Sequence, residues 1–93
     1  MLKDSTLIFI KKHWENEEDY AFFVSTIQYL INKFKESIVK GEFKSKEQLF
    51  ECIKAWLNKF EEEVLTDIEE KDKKMRIYNC FAFTLINELL EDF

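Results

Sequence analysis

The chain has 93 residues, of which 46% are hydrophobic and 35% charged, and its formal net charge is −5 at pH 7. This composition excludes a disordered chain and predicts a single globular domain over residues 1–93. The acidic balance disfavours non-specific binding to nucleic acid and to anionic lipid surfaces.

The class of structure follows from what the sequence lacks. There is no proline, and Gly41 is the only glycine. Sandwiches and barrels need many tight turns that call on these residues, whereas the abundance of Lys, Glu, Leu, Ile and Phe favours helices joined by short loops. We therefore expect an all-α protein.

The cellular setting is predicted from the apolar runs and the cysteines. The runs over 7–10 and 20–24 are too short to cross a membrane or to form the core of a signal peptide. Cys52 and Cys80, in a chain without a signal peptide, are typical of reduced thiols in a protein core. These observations predict a cytoplasmic protein that does not enter a membrane.

Two helices are predicted in the first half of the chain. Asp4, Ser5 and Thr6 offer a cap for a first helix that runs to about Trp14. Asn16 is a good N-cap for a second helix, whose first turn holds the acids of 17–19 near the positive end of the helix dipole. This helix is expected to end at Lys40, since Gly41 adopts a left-handed conformation without steric cost.

Two further helices are predicted in the second half. Ser45 and Gln48 form a capping-box pattern that opens a third helix with a broad apolar face. Thr66 and Glu69 repeat the pattern, so this helix is expected to break near Leu65. A last helix follows towards the C-terminus. The sequence thus predicts a small antiparallel bundle of three long helices and a shorter N-terminal helix.

The second helix has an apolar face and two aromatic residues opposite to it. At 100° per residue, its core face contains Tyr20, Phe23, Val24, Ile27, Leu30, Ile31, Phe34 and Ile38. Phe22 and Tyr29 point away from that face. Two interpretations are open: the first helix or the loop before it covers these two rings, or the rings are the anchors of a partner-binding stripe rimmed by Glu17, Glu18 and Asp19.

The last helix is apolar on nearly every side. Besides its core face it carries Ile77, Phe81 and Phe83, and a small bundle has too few helices to enclose one helix completely. Large apolar patches are uncommon on monomers. These three residues are therefore predicted to mediate self-association, and the protein is predicted to be a homodimer.

Acidic residues concentrate after the third helix. Glu61, Glu62 and Glu63 open a stretch of residues 61–72 with seven acids and one lysine. Such a run is usually a solvated face, and the functional alternative is a patch that docks on a basic surface of another protein.

No constellation for catalysis is visible in the sequence. His13 is the only histidine, and no spacing of the zinc or di-iron type occurs. A single glycine cannot form a phosphate-binding loop. We therefore expect neither an enzyme nor a metal or cofactor site.

The leading hypothesis from the sequence is a non-enzymatic interaction module. It would be an acidic helical protein that binds a larger protein, one with a basic surface, and inhibits or holds it, as an inhibitor, immunity protein or anti-defence factor does. The alternative is a structural or assembly subunit, a homodimer formed through its C-terminal helix. A weaker alternative is a DNA-binding regulator with the third helix as recognition helix, although its lysines are diluted by Glu47 and Glu51 and it has no arginine.

Overall fold

The computed structural model describes residues 1–91 and 93, and over these residues it contains four α-helices and no β-strand. The helices are α1 (Asp4–His13), α2 (Glu17–Val39), α3 (Lys46–Glu63) and α4 (Lys71–Leu85). A 3₁₀ turn at Leu65–Asp67 precedes α4, and a π-helical segment at Ile86–Leu90 continues it. The predicted all-α bundle is confirmed.

Helix α4 contacts all three other helices, and the order of contacts gives their directions. The backbone N–H of Lys3, before α1, bonds to Glu88, whereas Arg76 reaches the carbonyl of His13 at the other end of α1. Helix α1 is therefore antiparallel to α4.

The other two helices complete an alternating arrangement. Near its start α3 shares a cavity with Leu90, and near its end Phe60 packs on Phe81, so α3 is also antiparallel to α4. In α2, Phe23 packs on Phe81 and Lys35 lies near Glu88, which gives α2 the same direction as α4. The four helices thus run up, down, up and down.

Local signals set most of the helix ends. The side chain of Asn16 accepts hydrogen bonds from the N–H groups of Glu18 and Asp19, at 2.8 and 3.2 Å. Gly41 has φ of 78°, as its place after α2 predicts. Ser45 accepts from the N–H of Gln48, whose own side chain accepts from Lys44. These three predictions are confirmed.

Two predicted caps are wrong. The break near Leu65 is present, but the hydroxyl of Thr66 bonds back to the carbonyl of Glu62, and α4 begins only at Lys71. Helix α1 begins at Asp4 after an N-cap residue, Lys3, whose side chain makes no capping bond. The N–H of Lys3 instead finds its acceptor in a distant carboxylate, described below.

The core runs along α4 and takes one face from each of the other helices. Phe23, Ile27, Ile31 and Phe34 of α2 are buried, and the other predicted core residues of this helix pack partly buried beside them. An aromatic group surrounds Phe81, whose ring centroid lies 5.0 Å from that of Phe23, 5.5 Å from Trp56 and 4.7 Å from Phe60. In the described part of the chain, no helix combines the length and apolar character of a membrane span.

Candidate partner-binding surface

Phe22 and Tyr29 lie on the outer face of α2, where they are 76% and 67% exposed. The interpretation that the first helix covers them is wrong. Helix α1 packs along α4 instead, and its Phe9 stacks on Phe83 with the ring centroids 4.1 Å apart. The two α2 rings are therefore available at the surface, seven residues apart on one line.

The side chains between and after these rings belong to the same surface. The Thr26 hydroxyl donates to the carbonyl oxygen of Phe22 at 2.9 Å, so its polar group is satisfied within the helix. The Lys33 ammonium lies 5.4 Å from the Tyr29 ring centroid, within cation–π range. We call these four residues the α2 stripe: Phe22, Thr26, Tyr29 and Lys33.

The acids before the stripe are exposed, as a contact surface requires. Glu17 forms an ion pair of 2.7 Å with Lys11, and this hydrogen bond raises the pKa of Lys11. Glu18 and Asp19 make no side-chain ion pair among the described residues, although their backbone N–H groups are capped by Asn16. Their carboxylates therefore face water one helical turn from Phe22.

Glu61, Glu62 and Glu63 are also exposed, and the fold brings them to the same end of the bundle. A groove of about 370 Å³ joins Glu61 at the end of α3 to Lys71 and Lys74 at the start of α4. A second cavity, of about 500 Å³, joins the start of α4 to the α1–α2 connection at 14–16. The two acidic runs therefore lie around the start of α4.

Charge is distributed unevenly along the bundle. We define the acidic end as residues 11–20 and 61–76, which hold eleven acidic and six basic residues. The rest of the chain holds eight of each, so the acidic end accounts for the whole net charge of −5. Its bases include Arg76, whose guanidinium lies 5.6 Å from the Trp14 ring centroid. This uneven distribution creates a field that attracts a basic surface towards one end.

The predicted self-association residues of α4 are mostly covered within the chain. Phe81 is 7% exposed, so its prediction as a contact residue is wrong: α2 and α3 enclose it. Phe83 is half-buried under Phe9, and Ile77 is half-buried against the core. The pattern predicted an open apolar side on α4 because it gave no sign that α1, although short, would cover that side.

The two cysteines are separate free thiols, Cys52 on α3 and Cys80 on α4. Burial raises the pKa of the Cys80 thiol to about 11, and contacts with the Trp14 indole and the charge of Arg76 oppose this shift only in part. Cys52 is a free, half-buried thiol on α3. Over residues 1–91 and 93, no three His, Cys, Asp or Glu side chains converge as metal ligands.

Helix α3 carries the lysines of the DNA-binding alternative. Lys46, Lys54 and Lys59 are exposed, and so are Glu47 and Glu51. The Lys54 ammonium lies 3.7 Å from a carboxylate oxygen of Glu51. The neighbouring carboxylate offsets part of the lysine charge that a phosphate contact would use.

The sequence interpretation missed a buried carboxylate in the π-helical segment. Glu88 is 2% exposed, and its Oε2 accepts from the N–H of Lys3 at 2.8 Å and from the hydroxyl of Thr6 at 2.7 Å. Asn87 donates to Thr6 and to Ser5, at 2.8 and 2.9 Å. The available signal was the one acid within 85–90, flanked by apolar residues at 85–86 and 89–90.

Comparison of the chain with known protein families, with curated proteins and with solved structures finds no match.

Proposed function

We propose that this protein is a non-enzymatic binding module that docks on a basic surface of a larger protein and inhibits or holds it, as inhibitors, immunity proteins and anti-defence factors do. The observation that carries the proposal is the exposure of Phe22 and Tyr29, 76% and 67%, beside the acidic end of the bundle. Aromatic residues, including Phe, are enriched in protein interfaces, and Tyr is among the residues that most often contribute a large share of the binding energy.

The two parts of the surface have different roles in the proposed complex. The rings of Phe22 and Tyr29 supply apolar area that is buried only on binding, which lowers the dissociation rate. The acidic end supplies long-range attraction, which raises the association rate and selects a basic partner over an acidic one. Glu18 and Asp19 join the two parts because they lie one turn before Phe22.

The test is capture of interacting proteins from an extract of the native host, with quantification of each captured protein. Phe22→Glu combined with Tyr29→Glu is expected to remove the partner that the wild-type protein captures. Val39→Glu is the matched control, because Val39 is 86% exposed but lies at the far end of α2 and off the α2 stripe. Capture that is equal for the double variant and the control would overturn the proposal.

A second test addresses the acidic end. With the captured partner purified, the association rate is expected to fall by about tenfold or more between low and physiological salt, because screening shortens the range of the attraction. Glu61→Lys combined with Glu63→Lys is expected to reduce the association rate at low salt, with little change in dissociation. An association rate that salt does not change would leave the acidic end without a role.

The assembly subunit remains the alternative proposal. Met75 and Ile86 are the exposed apolar side chains of the C-terminal helical region, at 55% and 39% exposure. Light scattering coupled to size exclusion distinguishes the two functions. A mass near twice 11.3 kDa at all concentrations would support assembly, whereas the binding module is expected to be monomeric.

A further inference from the structure

The groove between the end of α3 and the start of α4, which we call the α3–α4 groove, has a volume of about 370 Å³ and is open to solvent on one side. Its apolar lining comes from Leu65, which is 2% exposed, Met75, which is 55% exposed, and the half-buried Tyr78. Sites for small molecules are usually concave and mostly apolar, with a few polar groups that fix the orientation of the ligand. A cavity of about 150 Å³ holds one benzene ring, so the α3–α4 groove has room for a ring with a polar substituent.

One wall of the α3–α4 groove is a single face of α4. Counted from Lys71, the other α4 residues of the lining follow after three, four, seven and eight positions, and they are Lys74, Met75, Tyr78 and Asn79. Residues at these spacings lie on the same side of an α-helix. The wall therefore offers two ammonium groups, a phenol and an amide beside the apolar side chain of Met75.

The polar groups on this wall are not engaged by the rest of the described chain. The side chains of Lys71, Lys74, Tyr78 and Asn79 form no hydrogen bond and no ion pair with any described residue. Lys74 is half-buried, so water screens its charge less than it screens a fully exposed lysine. The wall is thus supplied with donors and lacks an acceptor.

The charges in the lining decide which ligand fits. Lys71 and Lys74 contribute two positive charges, and Glu61 on the opposite wall contributes one negative charge, which leaves an excess of one positive charge. A singly charged anion neutralises this excess. A doubly charged phosphate would leave a negative excess at the acidic end of the bundle, and a cation would face two ammonium groups.

We propose that the α3–α4 groove binds a small aromatic monocarboxylate, whose carboxylate accepts hydrogen bonds from Lys71 and Lys74 and whose ring packs on Leu65, Met75 and Tyr78. An aromatic body suits this lining because thioether sulfurs and tyrosine rings both make favourable contacts with aromatic rings. The proposal goes beyond the proposed function. It concerns the purified protein alone, so its failure and the failure of the capture experiment are independent results.

The test is a titration of the ¹⁵N-labelled protein with benzoate at low salt. Benzoate is expected to give saturable shifts of the amide signals of Leu65, Met75 and Tyr78. Benzamide has the same ring without the charge, and its dissociation constant is expected to be higher by about threefold or more, since it forms no ion pair with the lysines. Acetate has the charge without the ring and is expected to give no saturable shift at concentrations that saturate with benzoate. Equal dissociation constants for benzoate and benzamide, no saturable shift with benzoate, or saturation by acetate would overturn the proposal.

Two double variants locate the carboxylate. Lys71→Met combined with Lys74→Met retains the apolar stems and removes both ammonium groups, so the dissociation constant of benzoate is expected to rise to that of benzamide. Unchanged binding of benzamide shows that the variant keeps its fold and its groove. Lys12→Met combined with Lys73→Met is the matched control, because it removes two positive charges from the neighbouring cavity and leaves the α3–α4 groove unchanged. An equal loss of benzoate affinity in both double variants, or a preference for benzoate that survives without Lys71 and Lys74, would contradict the assignment.

Discussion

The hydroxyl of Thr6 and the carboxylate of Glu88 share a hydrogen bond of 2.7 Å, although 82 residues separate them in sequence. Both side chains are buried, at 0% and 2% exposure. The bond fastens the start of α1 to the π-helical segment, and the carboxylate also accepts from the N–H of Lys3. Glu88 therefore replaces the side-chain cap that α1 lacks.

Glu88→Ala is expected to lower the free energy of unfolding by about 3 kcal/mol, because it removes the acceptor of both hydrogen bonds and leaves the buried O–H of Thr6 without an acceptor. Urea unfolding measures the change. Glu91→Ala is the control, since Glu91 is exposed three residues later. Indistinguishable midpoints for the two variants would show that Glu88 does not hold α1.

Phe81→Ala is expected to lower the free energy of unfolding by about 3–5 kcal/mol, the usual range for truncation of a buried phenylalanine. The ring lies among Phe23, Trp56 and Phe60, so its removal leaves a cavity at the centre of the aromatic group. Met75→Ala, at a residue 55% exposed on the same helix, should cost much less. A Phe81→Ala variant of wild-type stability but lower oligomeric mass would restore Phe81 as an association residue.

Phe22→Glu and Tyr29→Glu are each expected to change the free energy of unfolding by no more than about 0.5 kcal/mol, as is usual for exposed positions. Thermal unfolding followed by circular dichroism measures this. The measurement separates loss of binding from loss of structure in the capture experiment. A melting temperature that falls by about 10 °C or more would mean that the two rings are buried in solution.

Cys52 is expected to react with iodoacetamide at pH 8 while Cys80 remains unmodified. At that pH a thiol with a pKa of about 11 is ionised in about one molecule in a thousand, and the thiolate is the reacting form. Mass spectrometry of the labelled peptides gives both rates. Equal rates in the folded protein would contradict the burial of Cys80, and equal rates in urea are expected.

The same thiol makes stability depend on pH in the alkaline range. Burial raises its pKa from 9.0 to about 11, so the unfolded chain loses the proton first as the pH rises. The contribution of Cys80 is therefore intact below about pH 9 and declines as the pH approaches 11. Cys80→Ala should flatten this part of the stability profile, and an unchanged profile would assign the decline to other groups.

Gly41→Ala is expected to lower the free energy of unfolding by about 1 kcal/mol. The backbone φ of 78° at this position would hold the alanine in the left-handed region, which is unfavourable for an L residue. A Cβ atom there would meet nothing within 4 Å, so the cost arises in the backbone alone. Gly41→Asn should cost less, since Asn tolerates this conformation. Equal stability of the wild-type protein and both variants would show that the turn relaxes.

The parts of the fold that the sequence predicts well are those decided by neighbouring residues. Asn16, Gly41 and Ser45 act within their own turns, so their roles are visible in the chain. The core face of α2 is predicted for the same reason, because helical spacing alone separates Phe23 from Phe22.

What the sequence does not decide is which helix covers which face. The exposure of Phe22 and the covering of Phe83 both depend on α1 lying along α4, and no periodicity within α1 specifies that choice. The burial of Glu88 is even harder to predict from the sequence, because its partners Lys3 and Thr6 lie 85 and 82 residues away along the chain. A lone acid flanked by apolar residues is equally compatible with an exposed position and with a buried, paired one.

Because Glu88 holds the start of α1, α1 cannot dock until residue 88 has been synthesised. A ribosome adds about 5–20 residues per second, so about 4–17 s pass between the appearance of residue 3 and that of residue 88. During that time α1 has neither its capping carboxylate nor the phenylalanine ring on which Phe9 stacks. An isolated helix of 10 residues is marginal in water. Helix α1 is therefore synthesised before α2, α3 and α4, but it can dock only after the residues of α4 and of the π-helical segment have been added.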